Sequence, residues 1–471
     1  MAHKTKKMVI ISGYFSGESY GLLGPQMAAT IINDHTDYHA IVVGVTNEDH
    51  LQALKAALSR HFKDQRKVVG FSSLGGRPDL FELARELKAT GAVTILAGPQ
   101  AGPDYRGEVG WQTHPHRFRG LSDHFSFALH GPAQQIVPVL AAGFDKISAF
   151  DGILFRDNDD RIIENPPIPW EDQYLSTVDW GTLYRLKGTV FEPVTITTAQ
   201  VLQQIGCPHA ARCRTVSIDY PCGLVKADSQ PLAIVIDQKG CSFCDVAADK
   251  GYMGSVDESA VQAQLAGLPA GSDGRKISFE LINENPLFRL AGLIEMADKL
   301  SITLSRINLT LRADYLLKGL RRLEGVLESA REKDIRILLS SIGFESFDDK
   351  ILKNLNKGVT RQVNLDAVRV IRELKPKFPA HFGYLKEEGA NHGFIHPTPW
   401  DHPEIACEIN KTISMYRLSQ DILPHHSTPL IIHHASGLGE WIRQIELREN
   451  IEFERIGTTI GWWQTADRSL L

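Results

Sequence analysis

Two series of short apolar runs alternate with helical segments along this chain, and this alternation limits the folds available to it. Runs of this length without polar alternation are typical of strands buried on both faces, as in a parallel sheet. The runs lie at residues 8–12, 40–45, 68–73 and 93–97, and again at 232–237, 277–282, 307–311, 335–342 and 381–385. The chain is therefore predicted to be an α/β protein.

The two series predict two successive α/β regions. Residues 1–150 are predicted to form a Rossmann-like (flavodoxin-like) domain with a parallel sheet, whose ligand crevice lies at the carboxyl ends of its strands. Residues 229–400 are predicted to form a partial (β/α) barrel of TIM type, with its active site at the strand carboxyl ends. An irregular connector is expected at residues 151–228, and a C-terminal extension at 401–471.

Composition excludes several classes of function. The net charge is −5 over 471 residues, of which 43% are hydrophobic and 23% are charged, as in ordinary globular proteins. No basic run indicates a nucleic-acid or membrane surface. No stretch approaches the roughly 20 apolar residues that span a bilayer. We expect a cytoplasmic protein with no membrane span and no nucleic-acid partner.

The cysteines are unevenly distributed along the chain. Five of the six lie close together in sequence, at Cys207, Cys213, Cys222, Cys241 and Cys244. In a reducing compartment such clustering indicates metal or redox chemistry. The last two form a CxxC directly after the predicted strand 232–237. That pair can ligate a cluster iron, bind zinc together with the upstream cysteines, or act as a redox dithiol. A dithiol fits poorly, because its CxxC would open a helix in a much smaller fold.

Four segments, in order, resemble motifs of the radical S-adenosylmethionine (SAM) superfamily. GCSFCD resembles the second half of its CxxxCxxC cluster motif, with Phe243 between the last two cysteines. FELINENP, LTLRAD and SIGFESFDDKILKNLNKGVT resemble the second-, third- and fourth-strand segments of the barrel. The resemblance implies SAM contacts at Phe243, Asn283, Glu284, Arg312 and Glu345.

The amino-terminal region resembles the cobalamin-binding domain that often precedes such barrels. The resemblance rests on SSLGGRPDLFELARELKATGAVTILAGPQAG and FALHGPAQQ. It implies cobalamin contacts at Ser72, Ser73, Leu74, Gly98, Pro99 and Gly131. The DxHxxG signature, which supplies an axial histidine, is missing, and the corresponding turn reads GESYGLLG from Gly17 to Gly24. Cobalamin binding without a protein histidine and loss of cobalamin are both open.

One ligand position departs from the family pattern. The first position of CxxxCxxC falls on Asp237. Three thiolates normally hold three irons of the [4Fe-4S] cluster and leave the fourth iron open for SAM. Either Asp237 is an unusual ligand, or Cys222 or another upstream cysteine replaces it. Alternatively, Cys207, Cys213 and Cys222 hold a second cluster.

The resemblance implies a radical SAM enzyme. Its reduced cluster would cleave SAM to methionine and a 5′-deoxyadenosyl radical, which abstracts hydrogen from a small-molecule or peptide substrate. With cobalamin, the expected reaction is methyl transfer. A reductant such as flavodoxin or ferredoxin would supply the electron. Two alternatives from other classes stay open, a zinc-stabilised barrel without catalysis and an iron–sulfur electron carrier.

The carboxyl-terminal region is rich in histidine. The segment TPLIIHHASGLGEWI at residues 428–442 resembles a last barrel strand running into a helix. This resemblance predicts that His433 and His434 line the substrate pocket. Paired histidines also bind metals, although hydrogen-bonded histidines in a polar cavity are the more common case.

Overall fold

The computed structural model describes residues 6–72, 77–224, 232–244, 252–424 and 426–464. These residues form two compact units. The first comprises Met1–Gln200 and Asp257–Pro269, and the second comprises Val201–Val256 and Ala270–Leu471. Within the described ranges, no helix combines the length and the apolar character that crossing a membrane requires.

The first unit is built on one sheet with helices packed against it. Its strands are β1 Lys6–Gly13, β2 Tyr38–Val45, β3 Val68–Ser72, β4 Val93–Ala97, β5 Phe127–Leu129, β6 Ile153–Arg156, β7 Ile162–Glu164, β8 Leu183–Lys187 and β9 Val190–Pro193. Its helices are α1 Leu23–His35, α2 Leu51–Phe62, α3 Pro78–Ala89, α4 Ala101–Arg106, α5 Ile136–Ala141 and α6 Glu258–Gly267.

The hydrogen-bonded strand order in this sheet is β7-β6-β5-β4-β3-β1-β2-β8-β9. Strand β1 pairs in parallel with both neighbours, so that Val9 lies opposite Ile41 and Val69. The central order 2-1-3-4-5 is the flavodoxin-like order, which confirms this part of the predicted fold. All three residues are buried, which explains why the strands read as continuous apolar runs.

The prediction of an irregular connector is wrong for the part of the chain that holds β6 to β9. Strand β6 pairs antiparallel with β5, β7 with β6, and β9 with β8. These short strands extend the sheet at both edges. Along Leu183–Lys187 only Leu183 is buried, and the residues after it alternate between half-buried and exposed. Neighbouring prolines and tryptophans masked that weak alternation in the sequence.

The second unit holds a parallel βα series and several smaller antiparallel pairs. Its strands are β10 Thr198–Leu202 (crossed by the unit boundary), β11 Gln204–Gly206, β12 Cys213–Asp219, β13 Ala233–Lys239, β14 Tyr252–Ser255, β15 Ser278–Ile282, β16 Arg306–Arg312, β17 Arg336–Glu345, β18 Phe382–Gly383, β19 Gly393–Phe394, β20 Ile432–His433, β21 Phe453–Ile456 and β22 Thr459–Gln464. Its helices are α7 Leu290–Lys299, α8 Ala313–Lys318, α9 Leu320–Glu332, α10 Asp349–Asn354, α11 Arg361–Lys377, α12 Pro403–Met415 and α13 Gly437–Glu449.

The main sheet of this unit has the order β10-β15-β16-β17-β18, with β19 also paired to β17. Phe279 of β15 lies opposite Ile307 of β16, which lies opposite Ile337 of β17, and both pairings are parallel. The predicted parallel βα series is therefore confirmed. The sheet does not close into a complete barrel, because no pairing joins β10 to β18 in the described part of the chain.

The first strand of this series was predicted wrongly. The run 232–237 belongs to β13, which pairs antiparallel with β12 in a separate two-stranded hairpin. Strand β10 occupies the edge of the parallel sheet instead. Ile234 and Ile236 are buried, whereas Val235 between them is 61% exposed. The hairpin therefore buries one face only, but its apolar residues on both faces imitate a fully buried strand.

The predicted last barrel strand is also wrong. Strand β20 pairs antiparallel with β22, with Ile432 opposite Ile460, in a small sheet outside the parallel series. Helix α13 follows as predicted, and His433 and His434 are buried at the start of that connection. His425, another histidine of this region, lies outside the described residues.

A half-buried carboxylate ties three elements of the second unit together. Glu388, in the turn after β18, accepts hydrogen bonds from Arg336 of β17 and Lys375 of α11, each at 2.5 Å. It also accepts from the backbone N–H groups of Tyr384 and Leu385, both at 2.9 Å. Burial disfavours its charge, but Lys375 and the backbone donors outweigh burial, so the pKa of Glu388 lies below its ordinary value.

We expect Glu388→Gln to lower the free energy of unfolding at pH 7 by about 3 kcal/mol, because Arg336 and Lys375 lose their common partner. A lowered folded-state pKa means that this contribution is complete above the ordinary glutamate pKa of about 4.3 and is lost as pH falls further. Urea denaturation from pH 7 to pH 3 should therefore show the variant and the parent converging. Glu387→Gln, at the exposed neighbouring residue, is the control. An unchanged difference at low pH would contradict the assignment.

Candidate functional site

Charged side chains collect where the parallel strands of the second unit end. Arg312 ends β16, Glu345 ends β17, and Glu284 follows β15. The carboxyl ends of parallel strands meet at one edge of a sheet, where α/β proteins place their sites. Lys357, after α10, joins them, and its Nζ lies 2.7 Å from Glu345 Oε1.

The segments that carry Cys207 and Cys241 share a hydrogen-bond partner at this edge, although the β12–β13 hairpin separates them in sequence. Burial raises the pKa of the Cys207 thiol, and the negative charges of Glu284 and Cys241 raise it further. Cys244 follows in a tight turn, and its N–H donates to the carbonyl of Cys241 at 3.2 Å. No disulfide joins any of the six cysteines, all of which lie in the described ranges. Three thiols are thus available to a metal.

A single asparagine connects the two cysteine segments. The carbonyl of Asn356 accepts a hydrogen bond from His209 Nε2 at 2.9 Å, two residues after Cys207. The side-chain amide of Asn356 donates to the carbonyl of Gly240 at 2.6 Å, one residue before Cys241. Burial lowers the pKa of His209 to about 4, and Arg312 adds to this effect, so the ring is neutral at pH 7.

The two residues before Asn356 also fix the turn between Cys241 and Cys244. The N–H of Ser242 donates to the carbonyl of Leu355 at 2.9 Å, and its hydroxyl donates to the carbonyl of Asn354 at 2.7 Å. Ser242 is fully buried. The segment from Asn354 to Gly358, which we call the anchor loop, therefore holds both cysteine segments in place.

Two buried cations lie beside Cys241. Arg312 Nη1 is 3.8 Å from the Cys241 sulfur, and its Nε donates to Asp314 at 3.0 Å. A second guanidinium nitrogen of Arg312 donates to the carbonyl of Lys357. Burial works to lower the pKa of Lys357, but Glu345 and Cys241 outweigh it, and the pKa is raised.

The ion pair between Glu345 and Lys357 lies close against a glycine on each side. A Cβ at Gly343 would lie 2.6 Å from Lys357 Nζ, and one at Gly393 would lie 2.6 Å from Glu345 Oε2. Glu345 itself has a left-handed backbone with φ of 57°, which is costly for a residue with a side chain. Its carboxylate serves this internal pair, and its SAM contact stays a prediction.

The Asn-Glu-Asn segment after β15 presents unused acceptors. Asn283 is committed internally, because its amide donates to Gln203 at 2.7 Å and its oxygen accepts from the N–H of Asn285. The side-chain oxygen of Asn285 is buried and has no hydrogen-bond partner in the described residues. Glu284 keeps contact with solvent, yet the protein around it raises the pKa of its carboxyl. Both groups suit a ligand with N–H or O–H donors.

Three of the predicted metal ligands lie elsewhere in the second unit. Asp237 is exposed on β13, where it accepts a hydrogen bond from Thr215 at 2.7 Å. Cys213 is exposed at the start of β12. Cys222 has Lys350, Asp401 and Asp219 as its charged neighbours, a different set from that of Cys207. Phe243 lies partly exposed in the turn between Cys241 and Cys244. Metal binding by Asp237, Cys213 and Cys222 and the SAM contact of Phe243 stay predictions.

Sequence reasoning did not single out Lys357, Asn356 and His209. For Lys357 and Asn356 the only signal in the sequence is their place in LKNLNKG, within the segment that resembles the fourth-strand motif. His209 had no signal of its own, because its role depends on a carbonyl that lies far away in the chain.

The first unit offers a separate crevice at the ends of its parallel strands. Ser72 ends β3, Gly98 follows β4 with φ of 106°, and Gly131 follows β5 with φ of 108°. Pro99 lies next to Gly98 and is partly exposed. A Cβ at Gly131 would meet no atom closer than 3.8 Å. Ser73 and Leu74 lie outside the described residues.

Tyr14 occupies the position next to this crevice where β1 ends. Its hydroxyl donates to the carbonyl of Tyr20 at 2.7 Å. Its ring covers Gly44 so closely that a Cβ there would lie 2.9 Å from it. The turn that replaces the DxHxxG signature is thus held by a tyrosine, and it offers no imidazole.

The fold and the thiols occur together in a recognisable combination. A flavodoxin-like unit accompanies a parallel βα unit that carries cysteines and buried cations at the carboxyl edge of its sheet. No protein-family model and no curated protein matches the chain.

The structure is similar to solved structures of the cobalamin-dependent S-adenosylmethionine radical enzyme OxsB. The form with aqua-cobalamin and S-adenosylmethionine bound has a TM-score of 0.60 at 12% identity, over 97% of this chain. The form with aqua-cobalamin alone has a TM-score of 0.60 at 13% identity, over 98% of this chain. This chain spans 64% of the OxsB chain in both comparisons. The resemblance predicted from the motifs is confirmed at the level of the fold.

We expect Asn356→Gly to destabilise the second unit by about 1 kcal/mol, because the carbonyl of Gly240 loses its donor. Glycine keeps the left-handed backbone of this position, where φ is 46°, so only the side chain is removed. Asn450→Gly is the matched control, since Asn450 has φ of 52° and is exposed. Urea denaturation measures stability, and alkylation by iodoacetamide reports the exposure of Cys207 and Cys241. Equal effects of the two substitutions would contradict the anchoring role.

Proposed function

We propose that this chain is a radical SAM enzyme in which Cys207, Cys241 and Cys244 hold a [4Fe-4S] cluster. The observation that carries the proposal is that Asn356 links the segments of Cys207 and Cys241 at the carboxyl edge of the parallel sheet, in a chain whose fold is similar to that of OxsB. Three thiolates leave one iron open for SAM. The hairpin would interrupt the family spacing between the first and second cysteines, which explains the aspartate at position 237.

The donor set and its surroundings fit such a cluster. Thiolates are the usual ligands of iron–sulfur clusters, and a thiolate-bound cluster carries negative charge. Arg312 and Lys357 lie buried beside Cys241 and would compensate that charge. When bound, the cluster supplies the electron that cleaves SAM to methionine and a 5′-deoxyadenosyl radical. The residues of this chain fix the thiols, place the cations and exclude water.

SAM would bind at the Asn-Glu-Asn segment. Its ammonium group carries three N–H donors, and Glu284 is a carboxylate at the right edge of the sheet. The partnerless oxygen of Asn285 would accept from SAM as well. The guanidinium of Arg312 already donates to Asp314 and to the carbonyl of Lys357. Arg312 would therefore act on SAM indirectly, through the segment that carries Cys241.

The substrate would lie on the open face of the parallel sheet, directly below that edge. Glu280, Asn308, Thr310 and Ser340 share this face, which we call the polar row. The hydroxyl of Thr310 donates to Glu280 at 3.1 Å, and the hydroxyl of Ser340 donates to the carbonyl of Leu309 at 3.1 Å. The hydroxyl protons of Thr310 and Ser340 are used in these hydrogen bonds, and their oxygen lone pairs remain as acceptors. The polar row therefore favours a substrate with hydroxyl or amino groups.

Asn308 carries the sharpest test of the polar row. It is 8% exposed, and its side-chain oxygen has no partner in the described residues. Asn308→Leu should raise the free energy of unfolding by about 1 kcal/mol, because it removes a buried unsatisfied oxygen. Asn364→Leu, which leaves the carbonyls of Phe344 and Ser346 without a donor, should destabilise by about 2 kcal/mol. Equal destabilisation by the two substitutions would assign Asn308 a structural role.

Cobalamin would bind in the crevice of the first unit. The left-handed Gly98 and Gly131 leave space for a large ligand, and the absent histidine points to binding without a protein axial ligand. Methyl transfer to the substrate is then the proposed reaction. Free thiols of this kind require a reducing compartment, for which we propose the cytoplasm.

Anaerobic reconstitution with iron and sulfide, followed by SAM and dithionite, tests the central proposal. The expected result is a bound cluster and formation of 5′-deoxyadenosine. Cys207→Ala, Cys241→Ala and Cys244→Ala should each reduce 5′-deoxyadenosine to background, because the cluster loses a ligand. Asp237→Ala and Cys222→Ala are matched controls that should keep both iron and activity.

The same preparation distinguishes the alternatives. Zinc without acid-labile sulfide would identify a zinc-stabilised barrel, and a cluster with no affinity for SAM would identify an electron carrier. Loss of the cluster in Cys222→Ala, with retention in Cys207→Ala, would overturn the ligand set.

A further inference from the structure

Two arginines lie side by side at the end of the parallel sheet that is opposite the cysteine site. Arg306 is the first residue of β16, Arg336 is the first residue of β17, and the two are direct partners in the parallel pairing of these strands. Since a strand rises about 3.3 Å per residue, Arg306 lies roughly 20 Å along β16 from Arg312. The arginine pair is therefore separate from the proposed catalytic edge.

This pair lies on the face of the sheet that carries the polar row. Side chains alternate between the two faces along a strand, so Arg306 shares its face with Asn308. On the neighbouring strand Glu280 is the partner of Asn308, which places Ser278, the first residue of β15, beside Arg306 on that face. Two guanidinium groups and one hydroxyl thus occupy neighbouring positions, and all three groups are hydrogen-bond donors. We call Ser278, Arg306 and Arg336 the basic layer.

Arg306 has no counter-charge within the described part of the chain. No ion pair or hydrogen bond joins its side chain to another described residue, and its Nε is buried without an acceptor. Burial lowers the pKa of Arg306, and the positive charge of Arg336 lowers it further. A half-buried cation beside a like charge is unfavourable, because no partner compensates its loss of hydration. An anion bound at this position would remove that penalty.

The carboxylate of this region already serves two other cations. Glu388 accepts from Arg336 and from Lys375, and the Nε of Arg336 is buried and still has no acceptor in the described residues. The group formed by Arg306, Arg336, Lys375 and Glu388 holds three positive charges and one negative charge. Its excess is two positive charges. A phosphate group, with about 1.5 to 2 negative charges at pH 7, matches that excess better than a single carboxylate does.

The geometry of the basic layer favours phosphate as well. A guanidinium group binds oxyanions through a fork of two N–H donors. Neighbouring strands lie about 4.8 Å apart, so the side chains of Arg306 and Arg336 can reach one common anion. A carboxylate has two oxygens, which one fork occupies, whereas a phosphate has further oxygens for the second fork and for the hydroxyl of Ser278.

We propose that the basic layer is a binding site for a phosphate group, either free or as the monoester of a small molecule. The site lies at the amino ends of the parallel strands and requires neither a cluster nor SAM. Binding is non-covalent, through charge-assisted hydrogen bonds from the two guanidinium groups. The bound anion neutralises the facing arginines, and the stability of the second unit therefore rises with phosphate concentration.

Titration calorimetry of the full chain in a phosphate-free buffer tests the site, with inorganic phosphate and ribose 5-phosphate as separate probes. Arg306→Gln should weaken the binding of whichever probe the parent binds more tightly by at least about 10-fold, because one charged fork is lost. Arg321→Gln removes the same charge at an exposed residue of α9 and should bind like the parent. Tighter binding of ribose 5-phosphate would identify a phosphorylated small molecule as the ligand, and tighter binding of inorganic phosphate would identify the free ion.

A second variant and a second readout make the test independent of one substitution. Arg306→Lys keeps the charge but loses the fork, so its affinity should lie between those of the parent and Arg306→Gln. In urea denaturation at matched ionic strength, phosphate should raise the midpoint of the parent and leave that of Arg306→Gln unchanged. The site would be overturned by equal phosphate affinity of parent and Arg306→Gln, by absence of phosphate binding in the parent, or by malonate binding as tightly as phosphate.

Discussion

The cysteine site depends on a few hydrogen bonds made by the anchor loop. Pairing in the β12–β13 hairpin ends at Cys213 and Lys239, so the residues between the hairpin and each of Cys207 and Cys241 need a further element to hold them. The carbonyls of Asn354, Leu355 and Asn356 provide it by accepting from groups on both segments. Backbone carbonyls are rigid acceptors, and this gives the thiols a fixed spacing that flexible side chains would not give.

The charges around the site are balanced within the protein. Arg312 and Lys357 are buried cations, and a buried charge without a partner is costly. Each has one carboxylate, Asp314 or Glu345, and both also lie near Cys241. The sulfur therefore lies in positive surroundings without any cation being left unpaired. This arrangement suits a negatively charged metal group. Its binding would add negative charge beside the cations and no further positive charge.

The sequence was informative where a pattern depends on neighbours in the chain. Continuous apolar runs predicted β1 to β4, which are buried on both faces, and also predicted β15 to β17. The run at residues 232–237 misled, since Val235 is exposed and its hydrophobicity says nothing about which sheet it joins. Asp237 was a candidate ligand only because spacing was counted along the chain. The link between the segments of Cys207 and Cys241 is a property of the folded state, made by the distant Asn356, and no local pattern encodes it.

The hairpin also bears on how this region can change over time. Both of its ends are fixed next to the cysteines, so residues added or removed at its tip do not move the sulfur atoms. The entropic cost of a longer closed loop grows slowly, by about 0.6 kcal/mol for each doubling of its length. Lineages descended from a common ancestor are therefore free to vary the length of this insertion, while the spacing of the cysteines is inherited unchanged.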